Sequence, residues 1–505
     1  MSINIVKSTG SSTRNLNSRS LNESVGYYDP DALDYYSEPD EWPDMPHMSS
    51  GENKIVMFAR VDPTLDPRSN TISFRVAVNS GNVNIDWGDG TTDSGNYGSI
   101  TTSRSYDLST KNLISVSDLS TGESPSAGYG IAVITITPGI STAYFTSFSR
   151  QTNTFGGSVA NSGSVLSIKM SAPLLTTLNV NYSGLRKFEY VGINSISSAG
   201  SLFSAHRHLE KVTFDISNIG SGGYSNMFAT CYRLTDVNLT GNPRNLATRS
   251  AVNMFNECKS LRRAPNFSGT NLISSMVSMF NGCNSLEYIP LYTTTSCISM
   301  SSMFHSCFSL ENVPLFNTFN VTNMTSMFSG CTALEIAPFF NTSNVTTVSG
   351  MFFGCFNLKY VPSYNLTSCT NISNMFFDCV SLRYVPDLSV KTPALGATFM
   401  NATGVFFNNQ SLISIGFIDL SAVNNNSQTF INSSSPPRLL QRSLVTGHAY
   451  NHTYINCNLS PEALNEIYTN LPTAASGSII TVTGNWGTAY DDPTIATGKG
   501  WTVTS

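Results

Sequence analysis

Seven cysteines return at one place in a repeated pattern: Cys231, Cys258, Cys283, Cys307, Cys331, Cys355 and Cys379. Stacked thiols of this kind offer two chemistries, ligation of a soft metal and disulfide bridging. Neighbouring strands stand about 4.8 Å apart, so a bridge is within geometric reach. A plainer role fits the residues better. Cys297 and Cys369 share a second column with Ile273, Val321 and Val345, so cysteine here stands in for small apolar residues, and no C-x-x-C pair is present. We expect buried free thiols.

Another column holds Arg262, Glu287, Glu311, Glu335, Lys359 and Arg383, an acidic middle between basic ends. Hydrolysis of a glycan needs two carboxyl groups about 5–10 Å apart, which Glu287, Glu311 and Glu335 could supply. Stacked at strand spacing, the three also repel one another, a modest cost in water that a cation or a basic partner would relieve. A solvated charged face is the ordinary alternative. Asp86, Asp89 and Asp93 could collect oxygen ligands around calcium, although their spacing matches no EF-hand loop and a structural turn needs no ion. The six histidines, His47, His206, His208, His305, His448 and His452, form no nucleophile, base and acid arrangement. No glycine-rich phosphate loop and no H-E-x-x-H is present. The expectation is a non-enzymatic protein without a cofactor.

The element that must position these columns is a repeat. Met279-Phe280 is followed by Cys283, Leu286, Ile289 and Pro290, and the pattern returns at Met303, Met327, Met351 and Met375 with an unbroken spacing of 24 residues. Looser copies begin at Leu202, Met227, Met254 and Val405, which makes nine units. Self-similarity at a fixed period in this range is the signature of a solenoid, in which each unit buries its apolar face against its neighbours. Apolar side chains fall at steps of three with an occasional one or four, which predicts a short helical turn, partly 3₁₀, facing the core. A run such as Leu286-Glu287-Tyr288-Ile289-Pro290 predicts one short strand per unit, stopped by Pro because Pro lacks a ladder donor. Asn317, Asn341 and Asn365 follow in one column, where their side chains can satisfy turn backbone. Phe267, Tyr292, Phe316, Phe340 and Tyr364 form either an exposed stripe or a core layer under the corner. Tyr288, Tyr360 and Tyr384, next to the charges, are the better candidates for touching a glycan or a protein.

These Met-Phe/Cys/Leu/Pro units resemble BspA-like leucine-rich repeats, found in bacterial surface adhesins and in many bacteriophage proteins, over roughly residues 165–425. The string Ile85-Asp86-Trp87-Gly88-Asp89-Gly90-Thr91, with Ser103-Arg104-Ser105-Tyr106 after it, is similar to the turn and the tyrosine strand of PKD-like β-sandwich domains. It is also similar to an Asp-Trp-Gly-Asp-Gly module that precedes such repeats in phage structural proteins, where a Trp-Pro segment like Trp42-Pro43 stands upstream. The histidine usual before the tyrosine strand is absent here. The resemblance implies a phage virion protein; a fold shared by many partners says less about what is bound.

The chain is therefore expected to be mainly β with short helical turns: an N-terminal arm, a β-sandwich, then a leucine-rich-repeat solenoid with capping regions. Residues 1–51 read as an extended docking arm, with Tyr27, Tyr28, Tyr35, Tyr36 and Trp42 as anchors of the kind interfaces favour. The PKD-like sandwich takes 52–125, a β-rich cap with degenerate coils 126–200, the solenoid 201–425 and a C-terminal cap 426–505. In that last cap Ser460 and Pro461 signal a helix start, Ala463, Leu464, Ile467, Tyr468 and Leu471 give one apolar face, and two strands follow. A net charge of -5 leaves no basic footprint for nucleic acid, and no apolar run approaches the length of a transmembrane helix. The first residues carry no apolar core followed by a cleavage site, which favours a virion protein made in the host cytoplasm over a bacterial cell-surface adhesin. The partners expected are other virion structural proteins through the arm, and a host surface protein or glycan on the solenoid, with the chain present in several copies.

Overall fold

The apolar columns and alternating runs fold into a mainly β structure with few helices. This structure, a computed structural model, describes residues 45–61, 71–88, 90–95, 100–105, 114–115, 130–150, 154–155, 158–159, 165–217, 219, 223–241, 249–266, 273–390, 400–415, 423–425, 430–431, 451–474 and 477–505. In the N-terminal part, period-two alternation sends Ile55, Met57, Phe74, Val76, Ile134 and Ile136 into the core. One sheet runs, in spatial order, Asp236–Thr240, Lys211–Asp215, Lys187–Tyr190, Val165–Ser171, Lys54–Val61, Gly130–Pro138, Val83–Asp86 and Thr92–Gly95. A second has the order Thr177–Asn179, Phe145–Arg150, Thr71–Val78 and Ile100–Ser105. The two share one core, in which the ring of Phe74 lies 5.6 Å from that of Trp87. Gly130–Pro138 sits between Lys54–Val61 and Val83–Asp86, so the first sheet runs across the division expected at residue 125.

Val165–Ser171 changes the sense of this sheet. One edge pairs antiparallel with Lys54–Val61, and the other pairs parallel with Lys187–Tyr190. The parallel ladder then continues to Lys211–Asp215 and Asp236–Thr240. The antiparallel strands thus close off the first edge of the stacked units, an edge that would otherwise present unpaired backbone.

The turns at the Met-Phe pairs are not helices. In the unit of Met279, the N–H groups of Met279, Asn281 and Cys283 donate to the carbonyl three residues back at 3.1–3.2 Å. The residues between them, Ser278, Phe280 and Gly282, donate to Ser301, Met303 and His305 of the next unit at 2.8–2.9 Å. This alternation goes with a left-handed residue just before the Met and another three after it: Ser278 has φ 52° and Gly282 φ 73°, and both places are left-handed in all nine units. A helix of L-residues does not accommodate such positions, so the three-residue step of the apolar side chains builds a chain of tight turns where a helical turn was expected.

The strand expected in each unit forms in the first two, Lys211–Asp215 and Asp236–Thr240, and over two residues in the last pair, Tyr384–Val385 with Ser414–Ile415. In the units between, it shrinks to single parallel bridges, Arg263 with Tyr288, Ile336 with Tyr360, and Tyr360 with Tyr384. Pro two residues further on removes the donor that would extend it. A second ladder runs unbroken from Ser275 through Ser299, Asn323, Thr347 and Asn371 to Asn401. The asparagine column does close turns: Asn317, Asn341 and Asn365 accept from the N–H two residues on at 3.0–3.1 Å. Inside, nine Phe rings from Phe203 to Phe406 stack at 5.1–5.9 Å, one per unit. Tyr292, Phe316, Phe340 and Tyr364 form a second buried column beside them, and Tyr292 and Tyr364 donate to the carbonyls of Pro265 and Pro338 at 2.8 Å. Phe267 lies outside the described residues.

At the C-terminal end the helix Pro461–Asn470 begins as expected, with Ser460 Oγ accepting from the Ala463 N–H at 3.2 Å and Ala463, Leu464, Ile467 and Tyr468 buried. The Lys499 ammonium donates to the carbonyls of Tyr468, Thr469 and Leu471 at 2.5–3.3 Å, which satisfies groups a helix end leaves without partners. Phe430–Ile431, His452–Ile455, Ile479–Thr481 and Thr502–Thr504 form a parallel sheet of four strands.

Gly354 offers a clean test of the turn geometry. It has φ +67°, and a Cβ built on it would meet nothing within 4 Å. Gly354→Ala should lower stability by about 1 kcal/mol in denaturant titration through backbone handedness alone, with Gly354→Asn costing less. Equal stability of all three would break the link between handedness and turn.

Candidate interaction surface

All ten cysteines are free and buried. Each thiol of the main column donates to a Phe carbonyl of the preceding unit at 3.0–3.2 Å, from Cys231 to Phe203 through to Cys379 to Phe352. Burial pushes the thiols up, Cys297 to about 11 and Cys355 and Cys369 to about 12. They therefore remain S–H donors, and the thiolate that metal ligation or disulfide exchange requires does not form near neutral pH. In the first unit His206 takes the cysteine's place, with Nε2 2.8 Å from the Val180 carbonyl. In the last, Asn409 takes it, fully buried, and among the described residues neither of its amide atoms has a hydrogen-bond partner.

The aspartates hold a turn. Asp86 Oδ1 accepts from the Gly88 N–H at 2.9 Å, and Asp93 Oδ2 accepts from the indole N–H of the buried Trp87 at 2.8 Å. Gly88 is required there, because a Cβ would lie 2.6 Å from the Val133 backbone and its φ is +71°. Asp89 lies outside the described residues, as do Tyr27, Tyr28, Tyr35, Tyr36 and Trp42. Among the described residues no group of three or more His, Cys, Asp and Glu is placed to hold a metal ion.

The acidic column is not a stack of three repelling carboxylates. Arg262 reaches one unit along to grip Glu287 with three contacts of 2.8–3.1 Å, and Lys359 reaches back to Glu335 at 2.7 Å. The basic ends neutralise their acidic neighbours, although exposed pairs of this kind contribute only up to about 1 kcal/mol. Glu311 and Arg383 stay exposed, and neither makes an ion pair among the described residues.

Beside these charges Tyr288, Tyr360 and Tyr384 are 48%, 49% and 46% exposed, and the Arg263 guanidinium lies 4.5 Å above the Tyr288 ring. Sequence reasoning missed their companions. Leu291, Leu315, Ile336 and Phe339 are 62–67% exposed. Leu291, Leu315 and Phe339 each follow the unit's Pro directly, and the residue after each of them is the buried aromatic. The corner at Pro thus turns one side chain out and the next one in, and that alternation is the signal that could have found them. Together the seven side chains form a stripe across five units, on the order of 700 Å² of mostly apolar surface, more than a monomer ordinarily leaves open.

Comparison with known proteins concerns the same units. One family model matches, that of Mycoplasma protein of unknown function, DUF285. It matches in three overlapping stretches, residues 249–339, 298–412 and 337–435, so the DUF285-like region contains the whole stripe. No curated protein matches. Among solved structures, a plant peptide hormone receptor, RGFR1 in complex with RGF2, aligns at 13% identity with a TM-score of 0.24, covering 61% of this chain. The alignment spans about half of that receptor chain, 51%, and at this score carries no argument.

A thiol reagent at about pH 8 should label none of the ten cysteines in the native protein and all of them in denaturant. Stability should fall as pH rises past the ordinary thiol value of 9.0, because unfolded thiols lose their protons there while the folded ones keep theirs. Asn409→Cys, nearly equal in volume, should raise stability by about 1–3 kcal/mol in denaturant titration by removing a buried amide that has no partner among the described residues; a loss of stability would show that the amide is satisfied.

Proposed function

We propose that the chain is a non-enzymatic structural and interaction protein of a bacteriophage particle, anchored by its N-terminal region. In this reading the DUF285-like units form a solenoid of the BspA-like leucine-rich type, displayed for contact with neighbouring subunits or the host surface. The observation that carries it is the exposed stripe from Tyr288 to Tyr384. An apolar surface of this extent, edged by charge, is the usual mark of a place where another molecule sits. The chemistry around it supports contact over catalysis: the thiols are locked as donors inside, and Glu287 and Glu335 are engaged by Arg262 and Lys359. The phage assignment rests on the resemblance of the repeats and of the Asp86-Trp87-Gly88-Asp89-Gly90 string. A second reading, a bacterial cell-surface adhesin using the same stripe, is favoured by the family match, whose description is of a Mycoplasma protein.

Cross-linking mass spectrometry on intact particles and on cell envelopes from the source separates the two. The phage reading expects the chain in particles, with cross-links from the region of Lys7 to a capsid or tail subunit. Recovery only from cell envelopes would replace it with the adhesin.

A further inference from the structure

We infer that the stripe is a self-association surface, on which a second copy of this chain lies with its units in reverse order. The inference rests on reading the stripe as an interaction surface, and it names the occupant. Its basis is the order of the charges. Along one column, in successive units, stand Glu311, Glu335, Lys359 and Arg383, two acids followed by two bases. Two copies laid face to face with their units in the same order would set Glu311 against the partner's Glu311 and Arg383 against the partner's Arg383. Like charges directly opposed are destabilising. Turned about a two-fold axis along the strands, midway between Glu335 and Lys359, the same four charges meet opposites. Glu311 then faces the partner's Arg383 and Glu335 faces the partner's Lys359, each contact occurring twice by symmetry.

The charges left over in the single chain are the ones this arrangement uses. Glu335 and Lys359 already pair at 2.7 Å within the chain, and Glu311 and Arg383 are the members of the four without an ion pair among the described residues. Three unit steps of about 4.8 Å separate them by roughly 14 Å, so the two new contacts fall on either side of the axis. Between them lie Ile336 and Tyr360, 62% and 49% exposed, each set against the other's counterpart. The exposed stripe, on the order of 700 Å², approaches the roughly 800 Å² that each partner contributes to a standard interface. An apolar centre for affinity with outer charges for orientation is the usual division of labour at such a surface.

The test is light scattering after size exclusion, with sedimentation, on the full chain at micromolar concentration. The wild type should be a dimer. Glu311→Arg and Arg383→Glu should each weaken self-association at least about tenfold. An equimolar mixture of the two variants should dimerise again, because each reversed charge then meets its opposite on the other copy. Both residues are exposed, so unchanged circular dichroism and melting would show that each variant is folded. A monomeric wild type, single variants that dimerise normally, or a mixture that stays monomeric overturns the proposal. If the wild type is monomeric while Lys359 cross-links to a different particle protein, the stripe remains an interaction surface and only self-association fails; if neither occurs, both readings fail.

Discussion

Two left-handed residues in each unit decide where the backbone donors of the turn point. Between the residue before the Met and the third after it, alternate N–H groups close tight turns within the unit and the others reach the next unit. Because buried backbone groups must be paired, this alternation ties each of the first eight units to its successor through several hydrogen bonds at once. The regular step then brings like residues over like. Phe rings stack at 5.1–5.9 Å, and each cysteine of the main column comes within reach of the Phe carbonyl of the preceding unit. Thirteen of the eighteen left-handed places are not glycine, and they are held there by the packing on either side.

The cysteine column shows how a reactive residue type becomes a structural one. Sulfur fills the volume of a small apolar group and still offers a weak donor, so the Phe carbonyl, already accepting inside its own turn, gains a second partner. Where the neighbouring unit changes, the residue changes: His206 spans to Val180 at the start, and Asn409 stands at the end without a partner among the described residues. Val165–Ser171 serves the backbone as His206 serves the side chains, converting an antiparallel edge into the parallel ladder that the units extend.

Much of this was legible because it is local or periodic. The 24-residue step, the apolar columns, the free buried thiols, the Asn317 to Asn365 turns and the helix start at Ser460-Pro461 all follow from residue types at fixed spacing. The handedness of the turn was not read, since three-residue apolar steps suit a 3₁₀ helix and this turn equally. The information was nevertheless present: Ser278, Ser302, Ser326, Gly350 and Asn374 fill one column with residues that tolerate a positive φ or are common in turns. The pairing of Glu287 with Arg262 was hidden because a column order does not tell how far an arginine reaches along it. The placement of Gly130–Pro138 in the middle of the first sheet joins strands far apart in the chain, and no local pattern encodes that.

The short reach of the contacts in the stack separates its length from its identity. A whole turn of 24 residues could be duplicated or lost, and the Met, Phe and Cys columns on either side would close over the join unchanged. The outer column would not be indifferent, because adding or removing one turn between Glu311 and Arg383 moves the midpoint of its charge order by half a step. A lineage carrying this chain can therefore alter its length without threatening its fold, while every such alteration rewrites what its surface recognises.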